Sequence, residues 1–322
     1  GDGVRRILFA AWAPALGLCA LASFAPAAPP APGKIGVAVS ILPLAYFAER
    51  VGGGAVEVSV MIPPGGNPHT YEPTPRQLAG LSRAKLYVEA GSGLEFELAW
   101  MEKLAALNPG MRICDASRGI ALAELGGPGS RCDEGNAPGA RRAGGAGPED
   151  ESAGGARIRR RGKDPHIWLS PANAAVIADN IRDALAAADP GRAEAYAANA
   201  RALKAELDTL DGELREALAP VRGRGFIVFH PAWGYFAARY GLAQVAIEAG
   251  GKEPTGRELA AVVSGARRLG AKAVFASPEF SRKAAETIAA EIGGRVVLID
   301  ALARDYPDNL RRVARAVAEG AR

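Results

Sequence analysis

The sequence predicts an α/β protein of two domains, each with a parallel sheet flanked by helices, joined by one long helix. Short runs rich in Val and Ile alternate with helix-period segments in both halves of the chain. The longest periodic segment, residues 190–218, lies between the halves. With 322 residues, 48% of them hydrophobic, the chain can fill two cores of ordinary size.

The N-terminal residues 1–27 resemble a secretory signal peptide. Arg5 and Arg6 form a basic start, residues 7–24 are mostly apolar, and Ala25-Pro26-Ala27 suits cleavage. We therefore expect an exported, periplasmic protein, and a retained membrane anchor is the weaker alternative. Cys19 raises the option of a lipid anchor, but Leu18 before it is large for a lipoprotein signal.

The first α/β domain is predicted at residues 34–188. Its strands are expected at residues 34–40, 55–62, 85–90 and 111–115. Its helices are expected at residues 42–51, 75–83, 94–107 and 171–188. Because strands and helices alternate, the sheet should be parallel with helices on its faces.

An insert at about 116–163 interrupts this domain and is predicted to be disordered. Gly, Arg, Ala and Pro dominate it, and no hydrophobic period is visible. The insert is either a tolerated surface insertion, which we favour, or a segment that touches metal or a partner. Cys114 and Cys132 flank its start and could form a disulfide in an oxidising compartment, or remain two unrelated thiols.

The linking helix is predicted at residues 189–219. Leucines spaced by four, three, four and four residues form one apolar stripe, at Leu203, Leu207, Leu210, Leu214 and Leu218. Asp189 suits the N-cap, Pro190 suits the first turn, and Pro220 should end the helix. At 1.5 Å per residue the helix would be about 43 Å long, enough to run along both domains.

The second α/β domain is predicted at residues 220–322. Its strands are expected at residues 225–230, 243–248, 272–276 and 295–300. Its helices are expected at residues 233–240, 256–269, 282–292 and 308–319. Thr255, followed three residues later by Glu258, is typical of a capping box at a helix start.

The charge distribution does not indicate a nucleic-acid-binding protein. The formal net charge is +4, and residues 131–163 alone hold eight Arg or Lys against five Asp or Glu. Because the excess lies in the insert, the two predicted domains are nearly neutral together. A nucleic-acid interface would place a basic stripe on folded structure.

The chain has three histidines, and each lies beside a proline: His69, His166 and His230. His230 and Asp300 come at the carboxyl ends of predicted strands, and His69 follows another strand. In open parallel sheets, ligands bind beyond the carboxyl ends of the strands. Imidazole and carboxylate together suit zinc and neighbouring metals. The spacing alone is a weak signal, because no short metal motif joins these residues.

Five segments of the chain carry a resemblance to a known family. They are GGNPHTYEPTPRQLAGLSRAKLYVEAGSGLEFEL, DPHIWLSPANA, FHPAWGYFAARYGL, KEPTGRELAAVV and VVLIDAL. With them, residues 34 to about 320 resemble the metal-binding solute-binding proteins of ABC transporters, the zinc and manganese group. The resemblance implies a metal site in the cleft between the domains, with His69, His166, His230 and Asp300 as ligands.

The type of residue at the third ligand position indicates which metal is expected. Manganese-type members tend to have a glutamate there, whereas zinc-type members have a histidine, as this chain has in His230. Nitrogen donors favour Zn²⁺ over Mn²⁺, so zinc is the expected ion and manganese or iron the alternative. One feature departs from the zinc type, whose members often carry a histidine-rich loop where this insert has no histidine.

The neighbours of these histidines are assigned structural roles. Asp164 is expected to orient His166 through the second ring nitrogen, since metal-bound imidazoles usually donate it to an oxygen. Glu72 is interpreted as structural rather than as a ligand. The aromatic residues Trp168, Trp233 and Tyr235 are expected to pack the cleft.

The resemblance implies a binding protein and not an enzyme. Its partners would be a divalent metal cargo and an ABC membrane permease, and the protein would be a monomer. An exported zinc hydrolase is one rival, but Asp300 would occupy the position of the catalytic water. A surface adhesin, a role attributed to some relatives, is another rival, and no sequence feature supports it.

Overall fold

The computed structural model describes residues 33–125, 162–248, 255–280 and 282–321. The predicted signal peptide, most of the insert and Cys132 lie outside these residues, so the predicted disulfide is not tested. Cys114 is buried in the first core, where its thiol lies 3.5 Å from the carbonyl oxygen of Asn180. None of the helices in the described part of the chain combines the length and apolarity that a bilayer crossing needs.

The first sheet is parallel, with strand order β2-β1-β3-β4. Its strands are β1 (Ile35–Val39), β2 (Val56–Val60), β3 (Leu86–Glu89) and β4 (Arg112–Asp115). Val37 of β1 is paired with Val58 of β2 on one side and with Leu86 of β3 on the other. The inner strands β1 and β3 are almost entirely buried, as expected for a parallel sheet covered on both faces.

Four helices accompany this sheet. They are α1 (Leu42–Gly52), α2 (Pro75–Leu81), α3 (Glu95–Leu107) and α4 (Pro171–Ala188). Helix α2 begins with a capping box, in which Thr74 and Gln77 satisfy each other's free backbone N–H groups. The sequence analysis did not identify this capping box.

The long helix α5 spans Ala193–Leu218, 26 residues, or about 39 Å. All five leucines of the predicted stripe are buried, which confirms the predicted packing face. The helix begins later than predicted, because Pro190–Arg192 form a separate 3₁₀ turn. Asp189 does not cap the helix; its carboxylate instead accepts hydrogen bonds from Arg192 and Tyr196.

The second sheet repeats the topology of the first, with parallel strand order β6-β5-β7-β8. Its strands are β5 (Gly225–Val228), β6 (Ala243–Ala246), β7 (Ala273–Ala276) and β8 (Arg295–Leu298). The accompanying helices are α6 (Gly234–Tyr240), α7 (Gly256–Leu269), α8 (Lys283–Glu291) and α9 (Tyr306–Gly320). The capping box of Thr255 and Glu258 is present at the start of α7.

Helix α9 joins the two halves. It packs along α5, and its first residue, Tyr306, lies against Tyr46 and Phe47 of α1 with ring centroids 5.8 and 4.9 Å apart. The Tyr306 hydroxyl also donates a hydrogen bond to the carbonyl of Trp168 at 2.7 Å. The buried apolar core therefore continues from the first sheet through α5 and α9 to the second sheet.

Part of the predicted insert belongs to the fold. Residues 116–125 and 162–163 are described, and they form turns and an antiparallel bridge between Glu124 and Lys163. Ala116 and Ser117 are buried. The prediction of disorder was therefore wrong for residues 116–125, where Ser117, for example, is held by hydrogen bonds to Asp115 and Gly91. The prediction for residues 126–161 lies outside the described residues.

Candidate metal centre

The first histidine, His69, lies in a loop between β2 and α2 that is held at both sides. The side chain of Asn67 accepts a hydrogen bond from the His69 amide at 2.9 Å, which forms a local turn. The carbonyl of Pro68 accepts the amide of Phe96 at 3.1 Å, so the loop is attached to the start of α3. At the ring, Nδ1 of His69 lies 2.9 Å from Oε2 of Glu95.

The second histidine, His166, comes just before α4 and is oriented by Asp164. One carboxylate oxygen of Asp164 accepts the His166 amide at 3.0 Å and lies 2.8 Å from ring Nδ1. This confirms the expected orienting role of Asp164. The ring of Trp168 packs edge-on against His166, with centroids 5.4 Å apart, and its indole N–H donates to the carbonyl of Ala301.

The third histidine, His230, follows the end of β5 by two residues. Its Nδ1 lies 3.0 Å from Oε2 of Glu248, which itself follows the end of β6 by two residues. Both positions are at the carboxyl edge of the second sheet, because β5 and β6 are parallel neighbours. Glu248 and His230 are both buried, so their contact is shielded from solvent.

The three rings share one arrangement. Each Nδ1 faces a carboxylate, and an ionised carboxylate can only accept a hydrogen bond, so each Nδ1 carries the proton. Each Nε2 then presents a lone pair, and the three point at one another. The Nε2 of His230 lies 3.1 Å from that of His69 and 3.2 Å from that of His166. Three lone pairs that face one another in this way could hold a cation between them.

The spacing suits a tetrahedral ion. Zinc–nitrogen bonds of about 2.0–2.1 Å in a tetrahedron place neighbouring nitrogens about 3.3–3.4 Å apart. The observed separations of 3.1 and 3.2 Å are close to this value, and the three ligand atoms all lie within 4.8 Å of one another. Among the described residues, this is the one cluster of such side chains that could hold a metal ion.

The protonation state also suits metal binding. Burial lowers the pKa of His230 to about 4, so this ring is in its neutral, ligating form at neutral pH. Partial burial opposes ionisation of Glu95, but its hydrogen bond to His69 leaves its pKa below the usual value. A carboxylate behind each of the three imidazoles makes the centre favourable for a divalent cation.

A cavity of about 360 Å³ opens onto the three histidines. Its walls include Gly93, Leu98, Ala99, Leu125 and Lys163, so the ordered base of the insert lines the mouth of the site. Phe280, which follows β7, covers another side of the centre. Its ring is stacked on His230 at 4.8 Å and lies 6.1 Å from the ring of His69.

The structure does not bring Asp300 into the histidine cluster. Asp300 follows the end of β8 by two residues, and one of its carboxylate oxygens accepts the amide of Leu302 at 2.7 Å. Burial, opposed by this hydrogen bond, leaves the pKa of Asp300 raised. Asp300 as a ligand therefore stays a prediction.

The other predicted neighbours behave as expected. Glu72 is exposed and lies outside the cluster. Trp168 and Trp233 are fully buried, and the hydroxyl of Tyr235 contacts the backbone of Ala123 and Asp164 beside the site.

The sequence analysis missed Glu95 and Glu248. Glu95 lies in the quoted GSGLE segment, and Glu248 ends a predicted strand at the same sheet edge as His230. The strand-end rule that selected His230 and Asp300 could therefore also have selected Glu248.

The chain is similar in sequence and in structure to known zinc-uptake and zinc-binding proteins. Residues 37–320 match the sequence model of the family ZnuA, described as zinc-uptake complex component A, periplasmic. The chain is 30% identical over 271 residues to the high-affinity zinc uptake system protein ZnuA of Bacillus subtilis, a match that covers 84% of this chain and 79% of that protein.

Two further proteins show how much of the chain is similar to known proteins. The zinc-binding protein AdcA of Streptococcus pyogenes is 26% identical over 274 residues, which cover 84% of this chain and 51% of AdcA. The chain thus spans about half the length of this curated relative. A crystal structure of a ZnuA superposes with a TM-score of 0.77 at 40% identity, covering 90% of this chain and all of that one.

Proposed function

Since the chain belongs to the ZnuA family of periplasmic zinc-uptake components, we propose that it captures zinc and delivers it to an ABC permease. The observation that carries this proposal is the convergence of three Nε2 atoms, on His69, His166 and His230, with a carboxylate behind each ring. The protein acts by binding and release, without chemistry on the ion. It works outside the cytoplasm, as a monomer.

Zinc is the ion that this donor set favours. Three imidazole nitrogens are softer than the oxygen ligands that manganese prefers. The carboxylates that could act as bases, Glu95, Asp164 and Glu248, are each engaged by an imidazole Nδ1. This engagement is suited to holding an ion and not to activating a water molecule.

We propose Asp300 as the fourth ligand. It lies at the carboxyl edge of the second sheet, the edge that also provides His230 and Glu248. Its carboxylate would exchange the amide of Leu302 for the ion. The loop after β8 is attached to the His166 segment, since the indole N–H of Trp168 donates to the carbonyl of Ala301 at 2.8 Å.

A competition titration with a chromophoric chelator tests the proposal on metal-free protein. We expect one zinc per chain, bound far more tightly than manganese, and elemental analysis should find zinc in protein purified without added metal. His69→Ala and His230→Ala should each remove most of the affinity. Glu72→Gln, a substitution in the His69 loop at an exposed carboxylate outside the cluster, is the matched control and should bind like the wild type.

Three results would contradict the proposal. Manganese binding as tight as zinc binding would indicate an oxygen-rich site, and hydrolysis of model esters or peptides by the zinc-loaded protein would indicate an enzyme. Zinc affinity that survives both histidine substitutions would place the ion elsewhere. For Asp300, an Asp300→Asn variant with unchanged affinity would leave the site with three protein ligands.

A further inference from the structure

We infer that the turn from β3 into α3, residues 90–97, fixes the separation of His69 and His166, and that Ser92 and Glu97 are positioning residues of the metal centre. We call this turn the bracket. The inference rests on the proposed function, because positioning matters only if the histidines bind an ion. Neither residue touches the centre directly, so both act through the two histidine loops.

The bracket holds the His69 loop by two contacts. The backbone amide of Phe96 donates to the carbonyl of Pro68 at 3.1 Å, one residue before His69. The side chain of Glu95 reaches Nδ1 of the His69 ring at 2.9 Å. The backbone just before His69 and the His69 ring are thus both attached to the first turn of α3.

The bracket holds the His166 segment by a third contact. The hydroxyl of Ser92 donates to the carbonyl of Pro165 at 2.5 Å, one residue before His166. Ser92 is completely buried, so this hydrogen bond is not exchanged with water. The residues that precede the two histidines, Pro68 and Pro165, are therefore both bonded to the same short turn.

Glu97 makes the bracket rigid. Its carboxyl group is buried, and its two oxygens accept the amide of Ala90 at 2.6 Å and that of Gly91 at 2.9 Å. These two bonds close the turn between the end of β3 and the third residue of α3. The hydroxyl of Ser117 donates to the carbonyl of Gly91 and holds the turn from the β4 side.

The backbone of the bracket also demands glycine. Gly91 has φ +70°, and a Cβ there would lie 1.9 Å from a carboxylate oxygen of Asp115. Gly93 has φ +107° and lines the metal cavity. A residue with a Cβ would be strained at either position, so the shape of the turn depends on glycine, and the hydrogen bonds of Glu97 then hold that shape.

The effect on the ion follows from the geometry that zinc requires. Displacing one imidazole by a fraction of an ångström weakens a tetrahedral site, because zinc–nitrogen bonds are short and directional. Removing the Ser92 hydroxyl leaves the carbonyl of Pro165 bonded to the amide of Ile167 in its own segment but detaches that segment from the bracket, so His166 can then move relative to His69. Glu97→Gln retains the shape of the side chain but offers one acceptor oxygen to two amides.

The test compares Ser92→Ala and Glu97→Gln with Ser59→Ala. Ser59→Ala is the control, because it removes a longer, more exposed serine-to-carbonyl hydrogen bond in the same sheet, to Val37 at 3.4 Å, that touches neither histidine loop. Three quantities are measured: zinc affinity by chelator competition, the visible absorption spectrum of the Co²⁺-substituted protein, and the urea unfolding midpoint. The Co²⁺ spectrum reports coordination geometry, which a purely structural loss of stability would not change.

We expect Ser92→Ala and Glu97→Gln each to raise the zinc Kd about ten-fold and to shift and weaken the Co²⁺ bands, with Ser59→Ala unchanged in both. If either Ser92→Ala or Glu97→Gln is too unstable to purify, the other variant alone tests the inference. Wild-type affinity and a wild-type Co²⁺ spectrum in both variants, whatever their stability, would overturn the inference. Failure of the wild type to bind zinc would instead overturn the proposed function.

Discussion

Nδ1 of His230 lies 3.0 Å from the carboxylate of Glu248, and this contact turns Nε2 of the same ring toward His69 and His166. Both partners follow adjacent parallel strands, β5 and β6, by two residues. The position of the His230 side chain is therefore set by the parallel pairing of β5 and β6. Because the pair is buried, its charge acts on the centre with little screening by water.

Glu248→Gln should weaken zinc binding by about 10- to 100-fold, because the amide keeps the shape of the carboxylate but loses its charge. Chelator competition measures the change. The control is Glu102→Gln, at an exposed carboxylate on α3 outside the cluster. Equal affinities for Glu248→Gln and the wild type would show that the hydrogen bond to His230 does not contribute to the site.

Phe280→Ala should speed zinc release several-fold. The Phe280 ring is stacked on His230 and lies near His69, so it restrains two of the three imidazoles and keeps water from their faces. Stopped-flow release into excess chelator measures the rate. Phe280→Leu keeps most of the apolar volume and should stay close to the wild type, whereas an unchanged rate in Phe280→Ala would remove any role of the ring.

Metal-free protein should lose stability as pH rises toward 8 because of Glu97. Burial, together with the nearby carboxylate of Glu89, raises the pKa of Glu97 to about 8 in the folded state. In the unfolded chain the carboxyl has a pKa of about 4.3, so between these values the folded state holds the extra proton. This contribution is complete below about pH 4.3 and is lost as pH rises through the folded pKa.

The window for this measurement is pH 6.5 to 8.5. At lower pH the depressed pKa of His230 acts in the opposite sense, because the unfolded chain takes up a proton that the folded chain excludes. Urea unfolding should give a free energy that falls with pH by at most about 1.4 kcal/mol per unit, and Glu97→Gln should flatten the profile. Parallel profiles for the two proteins would refute the assignment.

Tyr306→Phe should lower the free energy of unfolding by about 1–2 kcal/mol. The substitution removes the buried hydrogen bond from Tyr306 to the Trp168 carbonyl and leaves that carbonyl without its donor. Urea unfolding of metal-free protein tests this. An unchanged midpoint would mean that α9 is held to the first half by apolar packing alone.

The sequence predicted the fold well because its signals are local. Strand and helix positions follow from runs of Val and Ile and from helix-period leucines, and all eight strands occur where predicted, with ends differing by one or two residues. The start of α5 was missed because Asp189 bonds Arg192 and Tyr196 instead of capping. Both partners are close in sequence, but residue type and spacing do not decide whether an aspartate caps a helix or bonds such neighbours.

The site was predictable to the extent that its residues are rare. Three histidines in 322 residues, each beside a proline, are few enough to be considered together, whereas 35 acidic residues are not. Glu95 and Glu248 contact His69 and His230 across 26 and 18 positions, and no sequence spacing marks such pairs. The position of Asp300 likewise depends on how the loop after β8 packs against Trp168.

Anomalous diffraction at the zinc edge, from crystals of the zinc-loaded protein, tests the central claim most directly. The account predicts one strong peak about 2.0–2.1 Å from Nε2 of His69, His166 and His230, with each Nδ1 still bonded to its carboxylate. A peak bound through Nδ1, or one that lies away from any of the three rings, would contradict it.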